Sequence, residues 1–122
     1  MAKILIIDDE YEILELARLR LRSEGYEVVT AGNGQEGLEK VRTENPNLVL
    51  MDLVMPVMDG YGFLKELRKE KSARELPVIV FTAKGNEEEV RVVLTLGATD
   101  YIRKPFVPSI LIGKIQKALG KS

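Results

Sequence analysis

Five times along this chain a short block rich in apolar and β-branched residues gives way to a longer stretch in which apolar side chains recur every three or four positions. The blocks are Lys3–Ile7 (KILII), Tyr26–Thr30 (YEVVT), Leu48–Met51 (LVLM), Val78–Phe81 (VIVF) and Thr99–Ile102 (TDYI). Unbroken runs such as LVLM fit strands covered on both faces, as in parallel sheets. The intervening stretches carry helical spacing. Ile13, Leu14, Leu16, Ala17 and Leu21 precede Gly25 in C-cap position, and Leu38 and Val41 lie inward within Gln35–Glu44. Asn45-Pro46 breaks the chain before the central strand, and Pro56 and Gly60 mark a loop after it. Phe63, Leu64 and Leu67 define a third helix, Glu87–Leu96 a fourth closed by Gly97, and Leu111, Ile115, Ala118 and Leu119 a fifth opened by Pro108. This (βα)₅ alternation with short connections predicts an α/β fold, a doubly wound five-stranded parallel sheet with helices on both faces.

Composition narrows the chemistry. With 122 residues, 45% of them hydrophobic, the chain is expected to form a single domain over 1–122. Lys and Arg number 18 against 19 Asp and Glu, a balance that offers no footprint for direct nucleic-acid or membrane binding. Neither cysteine nor histidine occurs, which removes disulfides, thiolate metal sites and Ser-His catalysis. The N-terminal apolar run is too short for a signal-peptide core, and no stretch approaches the length of a membrane span, so a cytoplasmic location is expected.

The polar residues that end the blocks form one chemical set. Asp8 and Asp9 follow the first strand, Asp52 the third, Thr82 the fourth, and Lys104 with Pro105 the fifth. In a parallel α/β sheet the carboxyl ends of the strands form the edge where ligands bind. Asp9, Asp52 and a nearby carbonyl suit Mg²⁺, with Asp8 acting through water. A carboxylate is a known nucleophile towards phosphoryl groups, whose transfer needs mainly positioning and positive charge. Asp52 is placed to attack, Lys104 to hold phosphoryl oxygens and Thr82 to donate a hydrogen bond.

Asp8-Asp9, Asp52 within LVLMDLVMPVMDG, Thr82-Ala83 and Tyr101-Ile102-Arg103-Lys104-Pro105-Phe106 together resemble the receiver domain of two-component response regulators, of the single-domain chemotaxis-regulator type. The likeness runs from Lys3 to Leu119. It implies a flavodoxin-like sheet of order 2-1-3-4-5. It also implies that Asp52 is the phosphoacceptor for a sensor histidine kinase, and that Asp8, Asp9, Asp52 and the backbone carbonyl of Val54 hold Mg²⁺ or Mn²⁺. Thr82 and Tyr101 would form the switch, reporting to a downstream protein through the face of the fourth helix, fifth strand and fifth helix. The chain would be a phosphoprotein and not an enzyme, apart from weak autophosphatase activity. Val54 and Lys84 flank the expected path of hydrolysis, and Val54 cannot hydrogen-bond a water, so slow phosphoryl loss is expected.

Other features carry plainer readings. Asp59-Gly60 reads as a turn opening the third helix, and Glu87–Glu89 as a first turn complementing the helix dipole. Tyr101 is equally suited to filling the core. Val107 stands where a helix cap would be Asp, Asn or Ser. Val92, Leu96 and Ile110 occupy flanks where receivers that dimerise through this face carry ion pairs, and those pairs look absent; extra core packing explains the same residues equally well. A receiver excised from a longer regulator is the nearest alternative, disfavoured by the lack of a linker beyond Gly120-Lys121-Ser122. A flavodoxin-like ligand-binding module shares the fold, but Asp8-Asp9-Glu10 would repel phosphate after the first strand. An acid-phosphatase-like hydrolase needs a second carboxylate where Val54 stands.

Overall fold

The computed structural model describes residues 2–55, 57–83 and 86–120; Pro56, Lys84 and the Lys121-Ser122 tail, which figured in the sequence reading, lie outside them. Five strands, β1 (Lys3–Ile7), β2 (Glu27–Ala31), β3 (Leu48–Asp52), β4 (Val78–Thr82) and β5 (Asp100–Arg103), form one parallel sheet in the order β2-β1-β3-β4-β5. Five helices connect and follow them: α1 (Tyr11–Ser23), α2 (Gly34–Glu44), α3 (Gly60–Lys69), α4 (Glu87–Thr95) and α5 (Pro108–Ala118). The expected fold class and strand order are therefore found.

Strand alternation sorts the core into two layers. Ile4, Ile6, Leu48, Leu50, Ile79, Phe81 and Ile102 pack with Ala17 and Leu21 of α1 and Leu111, Ile112 and Ile115 of α5. Leu5, Ile7, Val49, Met51, Val78 and Val80 pack on the other face with Leu38 and Val41 of α2, Phe63, Leu64 and Leu67 of α3, and Val93 of α4. β3 and β4 are buried along their whole length, which is why their sequences read as continuous apolar runs.

Local differences from the sequence reading have physical causes. Tyr26 precedes β2: its N–H donates to the Leu21 carbonyl at 3.1 Å and finishes the end of α1, so pairing starts at Glu27 and extends to Ala31 opposite Ile7. Gly25 lies one residue beyond the cap, Glu24, in the left-handed region at φ +92°. A 3₁₀ turn at Lys71–Ala73, too short for any periodicity, follows α3. Val107 is the N-cap of α5 and supplies no side-chain hydrogen bond, as its chemistry dictates.

Candidate functional site

Two rows of side chains lead into the site from the α1/α5 face. Asp8 continues the Ile4–Ile6 row just beyond β1, and Asp52 ends the Leu48–Leu50 row of β3. Both are buried, Asp8 fully. Lys104, following β5, reaches back over the Phe81 ring at 4.9 Å from its centroid; its Nζ lies 3.0 Å from Asp52 Oδ2 and 3.4 Å from Asp8 Oδ2. Glu10 Oε1 stands 3.8 Å from the same ammonium. Thr82 ends β4 in the row of Val78 and Val80, so it leaves the sheet on the opposite, α4, side.

Burial governs the electrostatics here. Loss of water pushes the Asp8 carboxyl up to about 6, with the Asp52 charge adding to the rise, against the opposing hydrogen bond from the Glu10 N–H and the nearby Lys104 charge. Burial would lower the Lys104 ammonium, but its hydrogen bond to Asp52 and the charges of Asp8 and Asp52 leave it raised and firmly protonated.

Among the described residues, the carboxylates whose oxygens lie within 4.8 Å of one another are Asp8, Glu10 and Asp52. Three carboxylates against one ammonium form a hard-oxygen, electron-rich donor set that fits a small divalent cation. Asp9 lines the same cleft with an exposed side chain outside that trio; Glu10, which the sequence reading did not place among the ligands, stands in it. The cause is the β1–α1 turn. Glu10 is the extended N-cap residue of α1, and its N–H donates to Asp8 Oδ1 at 2.9 Å, folding it over the buried acid.

Val54 also lines the cleft, with its side chain 77% exposed and its N–H 3.4 Å from Asp52 Oδ1. Gly60 donates to the Leu53 carbonyl at 2.9 Å, and Gly34 to that of Met58 at 3.0 Å, tying down the β3–α3 loop. A Cβ on Gly34 would stand 2.5 Å from the Met58 carbonyl oxygen, so only glycine permits this approach. Asp59 caps α3 by accepting from Gly62 N at 2.9 Å, the structural role its position suggested.

One acidic residue stands in the helix turn expected of it and makes a further contact. Glu89, read as a dipole-complementing member of the first turn of α4, turns its carboxylate into the cleft, where Oε1 accepts the Thr82 hydroxyl at 2.7 Å. Its signal was hidden because spacing does not reveal that Thr82 faces α4. Tyr101 is half-buried against the α2–α4 layer, with Lys114 Nζ 5.7 Å from its ring centroid. Lys114 also pairs with Asp100 of the same chain at 3.0 Å, a contact separate from the flanks occupied by Val92, Leu96 and Ile110. On this face Val92 and Ile110 are exposed, whereas Leu96 packs into the core.

The acidic cleft encloses about 340 Å³. A larger groove of about 650 Å³ lies between Ile13 and Leu16 of α1 and Phe106 and Pro108; Lys104 borders it but no carboxylate does, so the ion chemistry belongs to the smaller cleft.

A buried acid pair at the carboxyl edge of a 2-1-3-4-5 sheet, bridged by a lysine and faced by a strand-end hydroxyl, defines a phosphoaccepting signalling module. The chain belongs to the response regulator receiver domain family, whose model matches residues 4–116. It is 45% identical over 120 residues to the "Probable transcriptional regulator ycf27" of Cyanophora paradoxa, covering 98% of this chain and 49% of that protein. The chain thus spans about half the length of the curated relatives it matches. Among solved structures, the chemotaxis response regulator CheY4 of Vibrio cholerae superposes with a TM-score of 0.92 at 33% identity, over 97% of this chain and 98% of that one. The receiver domain of sensor histidine kinase PA1611 from Pseudomonas aeruginosa PAO1, solved with a magnesium ion coordinated in its active site cleft, gives 0.91 at 29% identity over 98% of both chains. These matches do not favour the flavodoxin-like ligand-binding alternative. Among the described residues no helix is long and apolar enough to cross a membrane.

Proposed function

We propose that this chain is a single receiver module, cytoplasmic, in which Asp52 takes a phosphoryl group from a sensor histidine kinase. The observation that carries this reading is the buried Asp52 carboxylate, held 3.0 Å from the Lys104 ammonium beside a second buried acid. An Asp52 oxygen attacks phosphorus as the P–N bond to the donor imidazole breaks, and the electron pair of that bond returns to the ring nitrogen. Lys104 follows the departing charge onto the phosphoryl oxygens, and Thr82 offers its hydroxyl to one of them. The acyl phosphate replaces one carboxylate charge with about two phosphoryl charges, a net change of about −1.

Asp8 and Asp52, with Glu10 or Asp9 and the Val54 carbonyl, would hold Mg²⁺ or Mn²⁺, which supplies positive charge to the phosphoryl oxygens when bound. Phosphoryl loss by water is weak because the exposed Val54 side chain offers no hydrogen bond to orient the nucleophile. The phosphorylated form would be read by a downstream protein on the α4–β5–α5 face, where Val92 and Ile110 are exposed. The resemblance to transcriptional regulators supports a gene-regulatory output through such a partner, with no direct nucleic-acid contact by this module. Incubation with acetyl phosphate and Mg²⁺ should place one acid-stable, base-labile phosphoryl group on Asp52, and Asp52→Asn should abolish it. Undiminished labelling of that variant would overturn the assignment.

A further inference from the structure

We infer that Glu89 is a positioning residue that competes with the phosphoryl group for the Thr82 hydroxyl and thereby couples Asp52 phosphorylation to α4. The inference rests on the phosphoacceptor reading above and adds the element that phosphorylation must displace. Three glutamates open α4, and two of them, Glu87 and Glu88, are exposed; the third is half-buried and lines the acidic cleft with Asp52, Thr82 and Lys104. Its Oε1 accepts the Thr82 hydroxyl at 2.7 Å, while its own N–H is fixed by the Asn86 side chain at 2.8 Å. Glu89 is therefore tied to the helix cap through its backbone N–H and to the strand-end hydroxyl through its carboxylate.

A threonine hydroxyl has a single proton to donate. When a phosphoryl oxygen takes it, the bond to Glu89 is lost, and the carboxylate is left facing a group that has brought about one further negative charge into the same 340 Å³ cleft. Both effects drive Glu89 outward, and the first turn of α4 goes with it because Asn86 holds the Glu89 backbone. In the unphosphorylated protein the same contact keeps Thr82 turned towards α4. Coupling is reciprocal, so a partner that holds α4 with Glu89 withdrawn raises the affinity of the site for the phosphoryl group.

The test uses beryllofluoride with saturating Mg²⁺ as the phosphoryl probe on the full chain. Relative to wild type, Glu89→Ala should bind it about tenfold more tightly, the factor equivalent to one charge-assisted hydrogen bond lost from the competing state, and Glu89→Gln, which keeps an acceptor without the charge, should fall between. Without the probe, the amide resonances of Val90, Val93 and Tyr101 in Glu89→Ala should lie part-way towards their positions in probe-bound wild type. In a Thr82→Ala background the Glu89→Ala gain should shrink several-fold. A gain that persists there in full would mean simple charge repulsion and overturn competition for the hydroxyl. Unchanged probe affinity in Glu89→Ala would overturn the inference alone, whereas failure of wild type to bind beryllofluoride would overturn the phosphoacceptor reading beneath it.

Discussion

Asp8 shows how a single carboxylate can be held against its own solvation. An unfolded aspartate titrates near 3.9, whereas burial raises this one to about 6. The folded protein therefore binds the Asp8 proton more tightly than the unfolded chain does, and this group removes stability as pH rises from about 4 to 6. Below that window both states are protonated and the contribution vanishes; above it the ionised acid costs about 3 kcal/mol in metal-free protein. Asp8→Asn should accordingly stabilise the protein in EDTA at pH 7 by up to that amount, with the gain fading below pH 4. Saturating Mg²⁺ should reverse the order by stabilising only the wild type. Urea midpoints with and without metal at three pH values measure this, and equal midpoints for both proteins in EDTA at pH 7 would mean that Asp8 is not strained by burial. The residues of this site were legible one by one because each stands where an apolar run stops. Choosing between Asp9 and Glu10 was not, since it depends on a turn in which the Glu10 N–H folds back onto Asp8.

Among the elements, the β3–α3 loop carries the plainest conflict between residue type and backbone. Val57 adopts φ +69°, a left-handed conformation that a β-branched side chain enters at a cost of about 1–2 kcal/mol. Its side chain is 81% exposed, so packing does not offset that cost. The Leu53 and Met58 carbonyls on either side of Val57 accept from the Gly60 and Gly34 N–H groups. Val57→Gly should raise stability by about 1 kcal/mol after the entropy of the freer unfolded chain is counted, and a lower thermal midpoint would show that the valine is not strained. Strands and helices long enough to show a period were readable from the sequence. Left-handed positions outside glycine and the three-residue turn at Lys71–Ala73 leave no periodic trace, and the inward turn of Glu89 follows from which face of β4 bears Thr82, a property of the assembled sheet.

At the scale of the whole molecule, one arginine ties separate segments together. Arg68 near the end of α3 donates to the Ala73 carbonyl at 2.7 Å and to the Gly97 carbonyl at 2.6 Å, joining the turn after α3 to the turn after α4. Gly97 suits this place twice over: its φ is +106°, and a Cβ there would stand 2.8 Å from Arg68 Nε. Arg68→Met removes the donor to the Gly97 carbonyl and leaves the Ala73 carbonyl with the Leu76 N–H at 3.3 Å, and should cost about 1–3 kcal/mol in urea unfolding, while labelling of Asp52 by acetyl phosphate persists in the folded protein. A loss below 1 kcal/mol would show that water replaces the guanidinium.

The clasp at Gly97 also gives α4 a fulcrum. With its C-terminal end moored by Arg68 and its opening turn held through Glu89, the helix has the geometry of a lever worked from its far end. A displacement of that end swings Asn86–Val90 through the largest arc and leaves Leu96 nearly still. A ligand reading this helix would therefore gain most by gripping it beside the cleft.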